Sequence, residues 1–274
     1  MDDLERLVRA VAESKKYASV CPDLVRRVGA RELSARRSWK AALKATKSRL
    51  HRVGGAFLDE EADYPFWLEV MRRAAQGGRP DELRAACRSI MQHQSSTRER
   101  LPILERFFTE SLAGLEPPKT VLDIACGLAP LSIPWMPLAP GALYLACDMY
   151  DDLAAFLRQA LPLLGVSGLA EACDAAANLP LALSAGQLTG EADLALMLKS
   201  LPCLEQLDNT SGRRLLETVP AKRVLVSFPM RSLGGRDRGM PRNYEEHFRA
   251  LVSGQPGRIE RFEFPGELAF LITR

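Results

Sequence analysis

The stretch Thr120-Val-Leu-Asp-Ile-Ala-Cys-Gly-Leu-Ala-Pro130 decides the fold class. It reads as a buried hydrophobic strand that delivers Asp123 and then turns through the small residues Ala125 and Gly127. A small-residue turn after the first strand of an α/β domain lets a ligand approach the backbone closely. The stretch therefore predicts a ligand site at the carboxyl end of a first strand.

Two further carboxylates belong to the same predicted site. Asp148 ends the next predicted strand, where an acid can accept hydrogen bonds from both ribose hydroxyls of an adenosine-containing cofactor. Asp174 follows the predicted end of a third strand and can accept a hydrogen bond from an adenine amino group. The alternative is that Asp123 and Asp148 only cap strand ends.

The turn itself distinguishes between two adenosine cofactors. The pyrophosphate of NAD requires a complete G-x-G-x-x-G, which the sequence after Asp123 lacks, and Pro130 removes an amide donor from the following helix start. S-adenosylmethionine has no phosphate and tolerates a looser turn. A nearby carboxylate also suits its α-amino group and sulfonium charge. The residues therefore favour S-adenosylmethionine over NAD.

Compact apolar runs alternate with helical segments after about residue 118. Four of them have the composition of strands buried on both faces of a parallel sheet: Thr120–Ala125, Ala142–Cys147, Asp193–Leu198 and Arg223–Phe228. Two more, Arg261–Phe264 and Glu267–Thr273, flank Pro265-Gly266 and predict a terminal antiparallel hairpin. Six strands with intervening helices predict a doubly wound α/β domain.

The chain before that domain reads as helices. Apolar residues recur at helical spacing from Leu4 onward, and no convincing strand interrupts them. Ser96-Thr-Arg-Glu99 has the form of a capping box and predicts a helix that runs to about Leu115. We therefore divide the chain into a helical domain, residues 1–94, and an α/β domain, residues 95–274.

Positive charge is concentrated at the N-terminus. Residues 1–52 contain fourteen Lys or Arg against six Asp or Glu, a net +8, whereas the whole chain carries +3 and residues 53–274 therefore −5. This asymmetry predicts a polyanion-binding surface, the alternative being ordinary solvated helix faces. The cations that we expect to contact RNA phosphates are Lys15, Lys16, Lys44, Lys47, Arg49 and Arg52.

Several classes of protein are excluded by composition. No run of eighteen apolar residues and no signal-peptide pattern is present, so we expect a cytoplasmic protein without membrane association. The six cysteines include no C-x-x-C pair and only three histidines could supplement them. We therefore expect neither a bound metal nor a disulfide framework.

Four ordered motifs together resemble the aminoglycoside-resistance 16S rRNA (guanine-N7) methyltransferases, the family of the Arm, Rmt and Sgm enzymes. The motifs are Ser96-Thr-Arg-Glu-Arg-Leu-Pro102, Asp123-Ile-Ala-Cys-Gly-Leu-Ala-Pro130, Leu198-Lys-Ser-Leu-Pro-Cys-Leu-Glu205 and Phe228-Pro-Met-Arg-Ser-Leu-Gly-Gly-Arg-Asp-Arg-Gly-Met240. The resemblance extends from the basic N-terminal helices to the C-terminal hairpin. It implies a Rossmann-like class I S-adenosylmethionine-dependent methyltransferase with an all-helical N-terminal domain that docks on the assembled 30S subunit.

The resemblance also implies an activity and roles for single residues. The implied reaction transfers a methyl group to N7 of guanine 1405 in the 16S rRNA decoding site, yields S-adenosylhomocysteine and confers aminoglycoside resistance. Arg100 is implied to bind the cofactor's carboxylate, Asp148 its ribose and Asp174 its adenine. Lys199 and Arg236 are implied to recognise the target guanine. No protein partner is evident, so we expect a monomer.

Two other hypotheses remain open from the residues alone. One is a methyltransferase that acts on another RNA or on a small molecule, and the other is a binding module that keeps the fold without catalysis.

Chemistry at guanine N7 is compatible with this sequence because N7 has a lone pair and no proton. In-line attack on a sulfonium methyl group therefore needs positioning more than a general base.

Overall fold

The computed structural model describes residues 2–55, 62–177, 188, 190–230 and 240–274. Within these ranges one sheet contains seven strands in the order β3-β2-β1-β4-β5-β7-β6. The strands are β1 (Thr120–Ile124), β2 (Leu143–Asp148), β3 (Ser167–Ala172), β4 (Leu194–Leu198), β5 (Arg223–Pro229), β6 (Arg258–Phe264) and β7 (Glu267–Thr273). Strands β1 to β5 are parallel, and β7 runs antiparallel between β5 and β6.

This sheet confirms the predicted α/β class and the terminal hairpin. Phe264 pairs with Glu267 across the turn that contains Pro265-Gly266. The count of six strands was wrong by one, because β3 was recognised only near its end. Its sequence Ser-Gly-Leu-Ala-Glu-Ala lacks a continuous apolar run, and it lies at the edge of the sheet with most side chains partly exposed. Edge strands need less apolar character than central ones.

Seven described helices precede β1. They are α1 (Asp3–Ala12), α2 (Pro22–Ala35), α3 (Trp39–Leu50), α4 (Tyr64–Gln76), α5 (Pro80–Met91), α6 (Ser95–Arg100) and α7 (Leu104–Ser111). The proposed domain boundary between residues 94 and 95 falls between α5 and α6. Four described helices follow β2: α8 (Asp151–Leu163), α9 (Leu201–Leu207), α10 (Ser211–Thr218) and α11 (Met240–Leu251). None of the described helices is long and apolar enough to cross a membrane.

The predicted capping box was wrong. Helix α6 is capped at Gln94 without a side-chain hydrogen bond, and a short 3₁₀ turn, Leu101–Ile103, separates it from α7. Pro102 has no N–H to donate, which explains the interruption. In a capping box the Glu99 side chain would accept the backbone N–H of the cap residue. It instead accepts a hydrogen bond from Lys199 Nζ.

Two apolar clusters cover the two faces of the sheet. Strand side chains alternate between faces, so Val121 belongs to the cluster that contains Phe107 of α7 on one side and Leu122 belongs to the cluster on the other. The second cluster also contains Leu7 of α1 and Val28 of α2. Helices α1 to α3 therefore share an apolar core with one face of the sheet.

Candidate active site

A cavity of about 300 Å³ opens at the carboxyl edge of the sheet. Its wall includes Ala125, Asp148 and Lys199, which stand at the ends of the adjacent strands β1, β2 and β4. Open α/β sheets bind ligands at this edge, at the point where the strand order reverses, which here lies between β1 and β4. The cavity therefore lies where the sequence predicted a ligand site.

The turn after β1 is built for close approach. Gly127 has φ +53°, and a Cβ placed on it would collide with the side chain of Gln94. Gln94 Oε1 accepts the amide N–H of Leu128 at 2.7 Å, and the amide N–H of Gly127 donates to Asp148 Oδ2 at 2.8 Å. Glycine adopts this φ without steric cost. The turn is therefore fixed by Gln94 on one side and by Asp148 on the other.

Asp148 presents two oriented acceptors. Its Oδ1 accepts the N–H of Met149 at 2.7 Å, while Oδ2 accepts that of Gly127. Burial raises the pKa of Asp148, and these backbone N–H groups act in the opposite direction. Each carboxylate oxygen has a second lone pair that can accept another hydrogen bond. Asp148 can therefore hold a vicinal diol at the cavity wall.

A buried ionic network closes the cavity on the β4 side. Arg100, 1% exposed, donates from Nη2 to Glu267 Oε1 at 2.6 Å and from Nε to both oxygens at 3.0 and 3.1 Å. Lys199 Nζ lies 3.3 Å from Glu267 Oε2 and 2.8 Å from Glu99 Oε2. Burial would raise the pKa of Glu267, but the charges of Arg100 and Lys199 outweigh it and the pKa is lowered. Two cations are thus balanced by two carboxylates.

Lys199 itself has an unusual backbone. Lys199 and Ala125 are the two residues other than glycine with positive φ in the described part of the chain, at +59° and +52°. The amide N–H of Lys199 donates to Ser227, at 3.0 Å to the carbonyl oxygen and 3.1 Å to Oγ. Sparsely populated backbone conformations of this kind cluster at functional sites because the surrounding structure must hold them. The lysine side chain is thereby directed along the cavity wall, where its Nζ donates to Ser96 O at 3.3 Å.

Asp123 lies behind the turn and is not part of the cavity wall. It is 1% exposed, and its Oδ2 accepts the hydroxyl of Tyr144 at 2.7 Å. Its Oδ1 has no hydrogen-bond partner among the described residues. Burial raises the pKa of Asp123 to about 7, although the Tyr144 hydroxyl and the Arg100 charge lower it. Asp123 therefore adjoins the site without facing it.

Asp174 lines the cavity beyond β3 and is paired. Arg27 of α2 donates to both of its oxygens, from Nε at 2.5 Å and from Nη2 at 2.8 Å. Leu24, one turn earlier on α2, also lines the cavity. Arg27 was not predicted at this site, because an arginine within a basic helix gives no signal of a partner 147 residues away.

The predicted RNA-binding cations differ in their surroundings. Lys44 is exposed on the face of α3 opposite to its buried residues, Lys47 is partly exposed at the side of the helix, and Lys15, Lys16 and Arg52 are exposed as well. Arg49 is engaged, since it donates to Glu32 Oε1 at 3.1 Å and to Gln206 O at 3.0 Å. Arg49 therefore joins α3 to α9, and a contact with RNA remains a proposal for it.

The structure brings most of the predicted site residues together. Arg100, Ala125, Gly127, Asp148, Asp174 and Lys199 all line the one cavity. Arg236 lies outside the described residues, so its predicted role stays a prediction. Three features of the site were not predicted: Gln94, Glu267 and the ion pair that Glu99 makes with Lys199. A signal for Glu267 existed, because an acid that opens the otherwise apolar strand Glu-Leu-Ala-Phe-Leu-Ile is a candidate for a buried ion pair.

Known proteins are similar in sequence to this chain over almost its whole length. The family model described as ribosomal RNA methyltransferase (FmrO) matches residues 13–271. The chain is 36% identical to the 16S rRNA (guanine(1405)-N(7))-methyltransferase of Micromonospora echinospora, over 100% of this chain and 97% of that one. It is 32% identical to the enzyme of the same name from Serratia marcescens, over 97% of this chain and 96% of that one.

Solved structures share the fold over almost the whole chain. The 16S rRNA methyltransferase RmtF, crystallised with S-adenosyl-L-homocysteine, aligns with a TM-score of 0.82 at 31% identity, over 100% of this chain and 99% of that one. The 16S rRNA methylase RmtB aligns with a TM-score of 0.73 at 27% identity, over 99% and 98%. These matches confirm the Rossmann-like class I methyltransferase fold and S-adenosylmethionine as cofactor. With its cavity at the carboxyl edge and the family model spanning nearly every residue, the chain belongs to the FmrO family of ribosomal RNA methyltransferases.

Proposed function

We propose that this chain transfers a methyl group from S-adenosylmethionine to N7 of guanine 1405 in 16S rRNA of the assembled 30S subunit. The observation that carries the proposal is the order of polar groups along the cavity. Asp174 follows β3, Asp148 ends β2, Gly127 follows β1 and Lys199 follows β4, and these strands are neighbours in that order. The adenine, the ribose and the methionine part of the cofactor, and then the target base, would lie in the same order along the cavity.

The cavity has the donors and acceptors that this cofactor needs. Asp148 offers acceptors for the two ribose hydroxyls, and Gly127 adopts the positive φ of the turn that donates to Asp148. The hydroxyl oxygens of Ser95 and Ser200 are buried at the cavity wall and lack a partner among the described residues. Unpaired buried hydroxyls are costly, so a ligand that supplies their partners gains affinity. The residues present therefore fit the cofactor.

Arg100 is suited to the carboxylate of the methionine part. Its Nε and Nη2 are used by Glu267, whereas Nη1 makes no hydrogen bond within the described part of the chain. Glu267 fixes the guanidinium, so that little side-chain entropy is lost when a second carboxylate binds. Asp123, with its raised pKa and unpaired Oδ1, lies one layer behind and would act on the cofactor's positive groups at longer range.

Catalysis then depends on placement. The bound cofactor supplies an electrophilic methyl group on a sulfonium. Guanine N7 loses no proton when it attacks, so the chain needs to hold the base in line and exclude water. Lys199 would donate to guanine O6 or to a neighbouring phosphate by exchanging one of its present contacts, because its ammonium already donates to Glu99 and Ser96 and lies 3.3 Å from Glu267. Arg236 is proposed to share this task.

Target selection is proposed to rest on shape and charge. Lys44 and Lys47 on α3, with Lys15, Lys16 and Arg52, would contact phosphates of the folded rRNA and set the register without reading a base. The guanine must then leave its stack to reach the cavity. A methyl group with a positive charge on N7 would hinder binding of cationic aminoglycosides, which is the proposed basis of resistance. We further propose that the enzyme acts in the cytoplasm as a monomer.

One experiment tests the proposal as a whole. The chain is expressed in a susceptible bacterium, and modified nucleotides in 16S rRNA are mapped by primer extension after reductive cleavage. A stop adjacent to guanine 1405 with growth on aminoglycosides is expected. Purified enzyme should methylate intact 30S subunits with S-adenosylmethionine. Transfer to another RNA or to a small molecule, with 16S rRNA unmodified, would replace this assignment by the alternative substrate class.

A further inference from the structure

One face of helix α2 forms a wall of the cofactor cavity. Leu24 lines the cavity directly, Arg27 pairs with Asp174, and Arg31 donates from Nη1 to Leu207 O at 3.0 Å. Residues 24, 27 and 31 recur at helical spacing and so share a face. Leu207 ends α9 and lines the cavity too. This face of α2 thus spans the site from the Asp174 side to the α9 side.

The backbone before α2 is tied to the same region. The amide N–H of Cys21 donates to Met149 O at 2.8 Å, and that of Asp151 donates to Ser19 O at 2.7 Å. Val20 and Tyr150 form an antiparallel bridge. Met149 and Tyr150 directly follow Asp148 and line the cavity. The start of α2 is therefore held against the strand end that carries the proposed ribose ligand.

The Arg27–Asp174 pair is less exposed than the ion pairs of the neighbouring Arg26, and it is about as buried as the Arg49–Glu32 pair further along α2. The side chain of Asp174 is 7% exposed and that of Arg27 30%, whereas Arg26 makes solvent-exposed pairs with Glu5 and Asp23. The guanidinium of Arg27 contacts both carboxylate oxygens, which fixes the plane of the carboxylate as well as its position. Each oxygen uses one lone pair for Arg27 and retains another.

We infer that Arg27 is a positioning residue for adenine recognition. It holds Asp174 so that a free lone pair points into the cavity, where it accepts a hydrogen bond from the exocyclic amino group of the cofactor's adenine. The inference rests on the proposed function, since it assumes an adenosine cofactor with adenine at the β3 side. It assigns to the basic N-terminal segment a part in cofactor selection that is separate from RNA docking.

A carboxylate held in a fixed plane distinguishes two purine bases, and this preference can be measured. A carboxylate in a fixed plane accepts from the adenine amino group but repels the carbonyl oxygen that hypoxanthine carries at the same position. A carboxylate released from Arg27 can rotate away and loses this preference. If Arg27 had a purely structural role, its replacement would change the cavity wall that both bases contact. The affinities for both ligands would then fall equally.

The experiment compares two ligands by calorimetry on the full-length chain: S-adenosylhomocysteine and S-inosylhomocysteine, which lacks the amino group. We expect the wild-type chain to prefer S-adenosylhomocysteine by at least about tenfold, the size of one charge-assisted hydrogen bond. Arg27→Ala should lower affinity for S-adenosylhomocysteine about tenfold and leave the inosine analogue nearly unaffected. Arg26→Ala, the exposed neighbour, is the matched control and should keep the preference.

Further variants separate positioning from folding. Arg27→Lys keeps the charge but not the two-point contact, so we expect it to recover part of the preference. In an Asp174→Ala background, Arg27→Ala should have no further effect on the preference. Equal weakening of both ligands by Arg27→Ala, or an unchanged preference, would overturn the inference. If the wild-type chain bound neither ligand, the proposed cofactor site itself would be wrong.

Discussion

Gln94 occupies the space beside Gly127 that a side chain would need, and its Oε1 accepts the neighbouring amide N–H of Leu128 at 2.7 Å. The segment before α6 and the turn after β1 therefore fix each other. Neither residue type is unusual by itself. The close contact between them makes the cofactor turn sensitive to a single methyl group.

Gly127→Ala should disrupt this turn. The alanine must adopt φ +53° and also displace Gln94, so we expect destabilisation of about 2 kcal/mol or more and a large loss of S-adenosylhomocysteine affinity. Gly141→Ala is the matched control, because Gly141 has φ +69° but nothing within 4 Å of the added Cβ. It should cost about 1 kcal/mol and leave affinity unchanged. Chemical denaturation measures the stability of both variants, and calorimetry measures their affinity for S-adenosylhomocysteine. Equal losses in Gly127→Ala and Gly141→Ala would show that the contact with Gln94 does not constrain the turn.

Asp148→Asn should abolish most cofactor binding while the fold persists. The carboxamide keeps the shape but lacks the charge, and only one of its two polar atoms can accept a hydrogen bond. We expect S-adenosylhomocysteine affinity to fall by about a hundredfold, since two charge-assisted hydrogen bonds are affected. Asp151→Asn, an exposed acid three residues further on, serves as control. Retained affinity in Asp148→Asn, measured by calorimetry, would remove Asp148 from the ribose site.

Lys199→Ala and Lys199→Gly separate the role of the ammonium from that of the backbone. Both variants lose the cation, so both should lower methylation of 30S subunits while S-adenosylhomocysteine affinity changes little. Only alanine keeps the penalty of φ +59°, so Lys199→Gly should be more stable than Lys199→Ala by about 1 kcal/mol. Methyl transfer under single-turnover conditions and thermal unfolding provide the measurements. Full activity in either variant would exclude Lys199 from target positioning.

Asp123→Asn should change the pH dependence of stability. The folded pKa of Asp123 is about 7, above its value of about 4 in an unfolded chain. Between these values the unfolded state releases a proton that the folded state keeps, so rising pH destabilises the wild type there. The variant has no such proton. Its free energy of unfolding relative to wild type should therefore rise between about pH 4 and pH 7, by at most about 1.4 kcal/mol per unit, and level off above.

Tyr144→Phe provides the control for that assignment. The Tyr144 hydroxyl lowers the pKa of Asp123, so its removal should shift the pH-dependent window upward. Urea unfolding across the pH range measures both variants. A difference between Asp123→Asn and wild type that does not vary with pH would mean that Asp123 is ionised throughout.

Charge reversal on α3 should weaken binding to the 30S subunit. Lys44→Glu with Lys47→Glu removes two proposed phosphate contacts, so affinity should fall and its dependence on salt concentration should become shallower. Lys119→Glu, exposed at the opposite edge of the sheet just before β1, is the control and should bind like wild type. Binding to 30S subunits is measured over a series of salt concentrations. If the wild type, the α3 variant and Lys119→Glu bound identically, α3 would not be part of the interface.

The sequence predicted those parts of the fold that depend on local patterns. The central strands, the hairpin around Pro265-Gly266 and the site residues at strand ends follow from apolar runs and from the direction of parallel strands. It recognised β3 only near its end, because small and polar residues suffice in a strand at the edge of a sheet. Motif resemblance supplied Arg100 and Lys199, but not their shared partner Glu267, because pairing across the chain leaves no local pattern.

The same limit applies to the N-terminal helices. Their charge predicted a surface for a polyanion, and Lys44 on α3 is exposed as expected. The charge could not predict that Arg27 and Arg49 turn inward, to Asp174 and Gln206. A sequence reports that a helix is basic, whereas the fold decides which of its cations meet solvent.

The contribution of Leu24 to the cavity has a pharmacological consequence. Many enzymes bind S-adenosylmethionine on an α/β sheet of this class, and the turn after β1 and the acid that ends β2 belong to that sheet. Helix α2 is an addition to it. An adenosine analogue extended toward Leu24 would touch a surface that the sheet alone does not provide, which offers a route to inhibitors that spare methyltransferases without such a helix.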